Sequence, residues 1–469
     1  MGLNAILMLN RSNLLVSFFP HPPPNRCAAH GSLFTASRLR RRDACVANSR
    51  LAPLEGGGVS SFDLLAYASL SRWWWLVCLI VLPSLAASPA PLQPLIDATP
   101  SGGSLRLAPG SYAGPARIDK PMSLDGGGQA VIIGNGRSTV LSVAANSVTL
   151  RGLRLTGSGE SHDRIDAGIL LEGNDHRVED NEIDDVLFGI HLKQVNRSRI
   201  TGNRVTGKKL DAGMRGDAIR LWYSQRNVIE GNRFSRARDL TFANSADNHI
   251  VGNRFNDGRY GMHIIFSPRL LIENNRLSDT GTGIIVLYSP DLVLRGNHVA
   301  HALTGGGGGI VFKESNDALV ENNEVLHCSV GLRVDAPPES VGKLTVRNNR
   351  FAHNIIGMFF YGEEGGHRFF DNRFENNLTT VAISAPGAGS ANVWRGNTWD
   401  DYQGFDRNND GIGDTAHEVY LFADRIWMET PMATFFRNSP VLEMLDFLER
   451  LAPFSTPHLV LRDPAPRMR

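Results

Sequence analysis

Residues 406–414 read Asp-Arg-Asn-Asn-Asp-Gly-Ile-Gly-Asp. Oxygen side chains at the first, third, fifth and ninth positions, with glycine at the sixth, follow the start of a calcium loop, in which a hard cation is held by carboxylate, amide and carbonyl oxygens. The ligands would be Asp406, Asn408, Asp410, the carbonyl of Ile412 and Asp414. His417 stands where such a loop places a bidentate glutamate, so the same residues read equally as an Asx-rich turn. Soft donors that suit copper(I) are the second group. Met262 and His263 are adjacent, and Met428 and Met432 lie one helical turn apart. Alternation along a strand aims Met262 and His263 at opposite faces, so core packing is the stronger expectation for most methionines. Carboxylates form the third group. Asp163, Asp166, Asp184 and Asp185 could act in pairs on a glycan, but no matching Arg, Lys or His joins them in one constellation, and turn capping accounts for them better.

The elements that position these groups come from a repeat. Asn181, Asn203, Asn232, Asn253, Asn275, Asn297, Asn323, Asn349, Asn372 and Asn397 follow one another at intervals of 21 to 29 residues. Each is preceded by Gly, Asp or Asn, and the residues three before and two after are apolar. Apolar alternation on either side reads as short strands, and the Gly/Asp/Asn–Asn pair as a sharp bend with left-handed backbone angles. A period of this length is one turn of a β-solenoid. A second phrase, glycine followed by aliphatics, returns from Ala167, Phe188, Tyr260, Thr282, Gly308, Val330 and Ile356. The chain is therefore expected to be all-β, a right-handed parallel β-helix of about a dozen coils at about 4.8 Å each, with the asparagines stacked in one ladder.

Stacking also aligns charge. Lys209, Arg238 and Arg259 each fall six residues after their asparagine, which predicts a basic row suited to an acidic partner surface. His191 shares the coil position of His263 three coils away, too far to share a metal. The formal charge is +1, from 48 basic and 47 acidic residues, so nothing points to nucleic acid.

The expected divisions run as follows. Residues 1–58, basic and without periodicity, form a leader extension that reads as upstream sequence from a wrong start or as a transit-like segment. Residues 59–88 hold a secretory signal peptide, with Ser71-Arg72 before an apolar run and small residues after it. Residues 89–103 form an N-terminal cap, with a short helix over 92–98. Residues 104–399 form the β-helix, and 400–469 the calcium-like loop and a helical C-terminal cap and tail. Cys27, Cys45 and Cys78 would leave with the leader, so Cys328 has no partner for a disulfide, and the mature chain is expected to have no membrane span. In the tail, Val441, Leu442, Leu445, Leu448 and Leu451 fall at helical spacing after Ser439-Pro440, an N-cap and first-turn pair. The proline-rich residues beyond, with Phe454, Leu459 and Leu461, are expected to be extended for recognition, so that removing 453–469 would spare the fold and abolish docking.

From about Ser104 to its end the sequence resembles the NosD family, periplasmic maturation proteins of nitrous oxide reductase. The resemblance rests on residues 396–402 running into the Asp406 loop, Ala108–Gly114 as an opening coil, Arg215–Trp222 in an insertion before Asn232, Arg259-Tyr260-Gly261-Met262-His263, and the tail Asn438–Leu448 with Asp463-Pro464. It implies a non-enzymatic periplasmic accessory protein that works with an ABC transporter permease and a periplasmic metalloenzyme or copper chaperone in copper-centre assembly, with copper(I) in transit. The alternative is a polysaccharide lyase, epimerase or hydrolase, or a glycan-binding protein, on the same fold.

Overall fold

The computed structural model describes residues 88–315, 317–335, 343–362, 365–385, 387–421, 439–451 and 458–469. The expected leader and signal peptide lie outside them, save residue 88. The described residues form a right-handed parallel β-helix of about thirteen turns, with strands from Ser104–Arg106 to Thr398–Trp399.

Each regular turn carries three strands. Val228–Glu230 leads into Asn232, Arg233–Ser235 follows it, and Asp239–Ala243 closes the turn. All three pair in parallel with their counterparts one turn on. The sharp bend arises as the sequence requires: every residue before a ladder asparagine has positive φ, from Asp180 at 54° to Gly396 at 72°. The glycines of the second phrase meet a different demand. At Gly283 a Cβ would lie 2.4 Å from the carbonyl oxygen of Gly309 in the next turn, so only a bare backbone fits.

The asparagines stack as expected. In Asn275, Oδ1 accepts from the backbone N–H of Asn253 at 2.9 Å and from its side-chain amide at 3.0 Å. Its own Nδ2 donates to the Ile250 carbonyl at 2.9 Å and to Asn297 Oδ1 at 3.0 Å. Inside the coil lie aliphatic columns such as Ile200, Ile229, Ile250, Ile272 and Leu294, all buried. Toward the C-terminus this column turns aromatic, with Phe369 stacked on Trp394 at 4.2 Å, and so does the column of residues two after each asparagine. Phe374 stacks on Trp399 at 4.5 Å, and Trp399 on His417 at 4.7 Å. A second ladder lacks an obvious sequence phrase: Ser224, Ser245, Ser267, Ser289 and Ser315 each accept the backbone N–H of the residue one turn before.

Both ends of the rod are closed. Helix Gln93–Ala98 places Leu92 and Ile96 over the first turn. At the other end, His417–Leu421 pairs antiparallel with His458–Asp463. Asp463, fully buried, takes the place of the next ladder asparagine, with Oδ2 accepting from Asn397 N and Nδ2, both at 2.9 Å, and from Trp399 Nε1 at 3.2 Å. Arg467 N then donates to the Asn397 carbonyl at 2.9 Å. This corrects the expectation for the tail. Residues 458–469 complete the ladder, Leu461 is buried, and only Leu459 of the three proposed recognition residues is exposed; Phe454 lies outside the described residues.

Helix Pro440–Leu451 forms where the sequence places it, in the connection between those two strands. Its apolar residues Val441, Met444, Phe447, Leu448 and Leu451 are 44–70% exposed, so they do not seal the rod. The side chains of Leu442 and Leu445 lie outside the described residues. Among the described residues no helix is long and apolar enough to cross a membrane.

Candidate functional site

On the outer side of the third strand, four consecutive turns bring polar groups together. The register sets His191, Arg220, Thr241 and His263 one above another. Beside them, at the corner where the chain enters the strand, sit Asp217 and Asp239, both fully buried. Burying a carboxylate is costly unless its lone pairs are met. Here they are. Asp217 Oδ1 accepts from Arg238 Nε at 3.1 Å and Nη2 at 2.9 Å, and Oδ2 from Arg220 Nη1 at 3.2 Å. Asp239 Oδ1 accepts from Arg259 Nε and from the backbone N–H of Tyr260, each at 3.1 Å, and Oδ2 from Arg259 Nη2. The Arg259 guanidinium also lies over the Tyr260 ring, 4.3 Å from its centroid.

Two members of the expected basic row, Arg238 and Arg259, are thus neighbours, and each is paired with a buried acid. Lys209 lies outside the row. Arg238 N donates to the Gly216 carbonyl, because residues 209–215 bulge out as an insertion and carry exposed Lys209 with them. That insertion meets the loop around His162, whose Nε2 lies 3.1 Å from the Met214 carbonyl and whose ring meets Phe188 edge-on at 5.6 Å.

The imidazoles here are shifted toward neutrality. Burial pushes His191 down to about 4, helped by the Arg220 and Lys193 charges. Burial also lowers His263, with Asp239 opposing. Among the described residues, Nε2 of His191, Nε of Arg220 and Oγ1 of Thr241 are buried and find no hydrogen-bond partner. The oxygens of both acids are engaged by arginines or a backbone amide, and burial favours the neutral form of both imidazoles.

Other expected sites fare differently. Met262 is buried in the core while His263 faces outward beside Asp239, so the two cannot share a copper ion; strand alternation separates them. Met428 and Met432 lie outside the described residues. Asp163 and Asp185 are exposed, Asp184 pairs with Arg154 at 2.9 Å, and Asp166 pairs with Arg164 at 3.0 Å, so the four acids form no catalytic pair. In the calcium-like loop the carboxylates are turned onto backbone amides. Asp406 accepts from Asp410 N and Gly411 N, Asp410 from Ile412 N, and Asp414 from Arg407 N. His417 stacks on Trp399, away from the loop's ligand positions. Among the described residues no three His, Cys, Asp or Glu side chains converge as a metal centre. Cys328 is buried with its thiol pushed up to about 11 by burial.

Sequence reasoning did not single out Asp217, Asp239 or Asp463 as key acids. The signal was available for the first two, since Arg238-Asp239 follows the inserted Arg215-Gly216-Asp217 by one turn. Asp463 entered only through the Asp463-Pro464 pair of the resemblance and gave no periodic signal, because it lies far outside the repeat.

The family described as Periplasmic copper-binding protein (NosD) matches residues 207–404, which include the outer-face residues from Asp217 to His263. The chain is 28% identical over 414 residues to the "Probable ABC transporter binding protein NosD" of Pseudomonas aeruginosa, covering 85% of this chain and 94% of that one. It is 29% identical over 443 residues to the protein of the same description from Stutzerimonas stutzeri, covering 83% and 92%. Solved structures similar to it include the A-module of the Azotobacter vinelandii mannuronan C-5 epimerase AlgE4, at 15% identity and TM-score 0.42 over 62% of this chain and 91% of that one. The catalytic domain of a GH87 alpha-1,3-glucanase matches at 14% identity and TM-score 0.47 over 62% and 64%. Residues 207–404 of this parallel β-helix thus match the NosD family model, and the chain is similar to the two NosD proteins over most of its length.

Proposed function

We propose that this protein is a non-catalytic periplasmic accessory protein that docks on an ABC transporter permease and serves copper-centre assembly in nitrous oxide reductase. The observation that carries the docking is helix Pro440–Leu451. In sequence it lies between the two strands of the terminal antiparallel pair, and its Val441, Met444, Phe447, Leu448 and Leu451 present apolar surface to solvent. An amphipathic helix with its apolar residues uncovered is suited to a groove on another protein. The names of the relatives support a transporter as that protein.

The outer face with Arg238, Arg259 and His263 is the second contact surface in this reading, for the metalloenzyme or copper chaperone. Copper(I) is cargo here, and it favours sulfur. Met214, above that face, and Met444, on the helix, carry exposed thioethers, whereas Met262 and Met358 are spent in the core.

The test is co-purification with the permease. Wild type is expected to bring the permease down, and the double variant Phe447→Asp, Leu448→Asp to lose it without a change in melting. Permease capture by the variant would overturn the docking assignment. Turnover of an anionic glycan, lost in Asp163→Ala or Asp185→Ala, would instead make the protein an enzyme.

A further inference from the structure

At the corner between the second and third strands, the residue four after each ladder asparagine forms its own column: Asp257, Asp279, His301, His327, His353 and Asn376. All have positive φ, between 51° and 62°. Aspartate and asparagine tolerate this left-handed region through their short polar side chains, and histidine is also enriched there. Backbone bonds hold the three histidines one turn apart, His301 N donating to Leu326 O and His327 N to Ala352 O at 3.2 Å, and His353 N to Glu375 O at 2.9 Å. The side chains are exposed and their rings stack. His301 and His327 have centroids 5.6 Å apart at 29°, and His327 and His353 are 5.1 Å apart at 10°. His301 Nδ1 lies 3.3 Å from Asp279 Oδ1. No side-chain hydrogen bond from a described residue engages His327 or His353, so the nitrogen edges of both rings face water.

We propose that this column is a site for a divalent transition-metal ion, held by neighbouring imidazoles and, at the Asp279 end, a carboxylate. The packing of the rod does not require imidazoles there, since other turns fill the position with Asp, Arg or Asn. The rings do not converge on one point without a metal. Two imidazole nitrogens on one ion at about 2.0–2.1 Å stand about 3 Å apart. Stacked rings about 5 Å apart reach that by rotation about side-chain bonds, which exposure permits, with no backbone shift. Imidazole with carboxylate suits Zn²⁺, Ni²⁺ and Cu²⁺, whereas Ca²⁺ and Mg²⁺ take oxygen. The site is chemically separate from a sulfur-bound copper(I) cargo and stands independently of the transporter reading.

Calorimetric titration of the purified protein with ZnCl₂, and separately with NiCl₂, tests it. Zinc is expected to bind and to raise the melting temperature. His327→Ala, which removes the ring shared by both neighbours, is expected to weaken binding by about 10–100-fold. His249→Ala, on another face, is expected to bind as wild type does. The metal-free melting temperature of His327→Ala should match wild type, which separates lost coordination from misfolding. Equal zinc affinity in wild type and His327→Ala, or no zinc heat at millimolar concentration, would reduce the column to an aromatic stack.

Discussion

Replacing Asp463 by alanine should unfasten the C-terminal end of the rod. Its carboxylate accepts from Asn397 N, Asn397 Nδ2 and Trp399 Nε1 through one oxygen, and from Gly396 N at 3.2 Å and Ala465 N at 3.1 Å through the other. Asn397 Nδ2 keeps a second acceptor in the Phe369 carbonyl. Asn397 N and Trp399 Nε1 keep none among the described residues. An unsatisfied buried donor costs about 1–3 kcal/mol, so these two together give about 2–6 kcal/mol. Asp463→Asn retains one acceptor oxygen but turns an NH₂ toward two backbone donors, and is expected to fall between alanine and wild type. Because a solenoid is held turn by turn, the loss appears first at its last turn. Urea unfolding followed by near-ultraviolet circular dichroism reads the Trp394 and Trp399 environment there, and hydrogen exchange reads the Asn397 amide. The expected result is early loss of the tryptophan signal and of protection at Asn397, ahead of the middle turns. An Asp463→Ala protein with an unchanged midpoint and protected Asn397 would refute the cap.

Asn275→Ala, in the middle of the ladder, strips four buried side-chain hydrogen bonds and is expected to cost about 3–5 kcal/mol in equilibrium unfolding; a loss below about 1 kcal/mol would show that water replaces the amide. Acidification should destabilise the protein through His191, among other buried histidines. Its folded-state value of about 4 lies below the ordinary 6.5, so the unfolded chain takes up the proton first, and up to about 3 kcal/mol is lost as pH falls from 6.5 through 4. His191→Gln should flatten that part of the stability–pH curve, and an unchanged slope would contradict a buried neutral imidazole. Calcium titrated into the protein is expected to bind at the Asp406 loop weakly, with Kd about 10⁻⁴–10⁻³ M, and not in Asp410→Ala; no heat at millimolar Ca²⁺ would leave that loop a turn.

The ladder was legible because one chemical requirement repeats: a left-handed residue, then an asparagine, then an inward apolar residue. Ile229, Ile250 and Ile272 fall in register for that reason. The serine ladder was harder to see, since serine is common and carries no local phrase. The outer face was half legible. Counting from the asparagine placed Arg238 beside Arg259, but the same count misplaced Lys209, because an insertion breaks the correspondence between sequence offset and height on the rod. The tail was misread for another physical reason. Proline-rich sequence reads as extended, and Leu459–Asp463 is extended, but its partner is the strand His417–Leu421, distant in sequence. Helix Pro440–Leu451 was readable from its local capping and spacing, whereas the exposure of its apolar residues depends on tertiary placement.

The central claim is that the helix between the two strands of the terminal antiparallel pair, and not the capping tail, holds the transporter. The most direct measurement is permease capture by three forms of the protein at equal concentration: wild type, Phe447→Asp with Leu448→Asp, and Asp463→Asn. Capture is predicted for wild type and Asp463→Asn, and none for the helix variant, with its melting unchanged. Capture by the helix variant at the wild-type level would contradict the account.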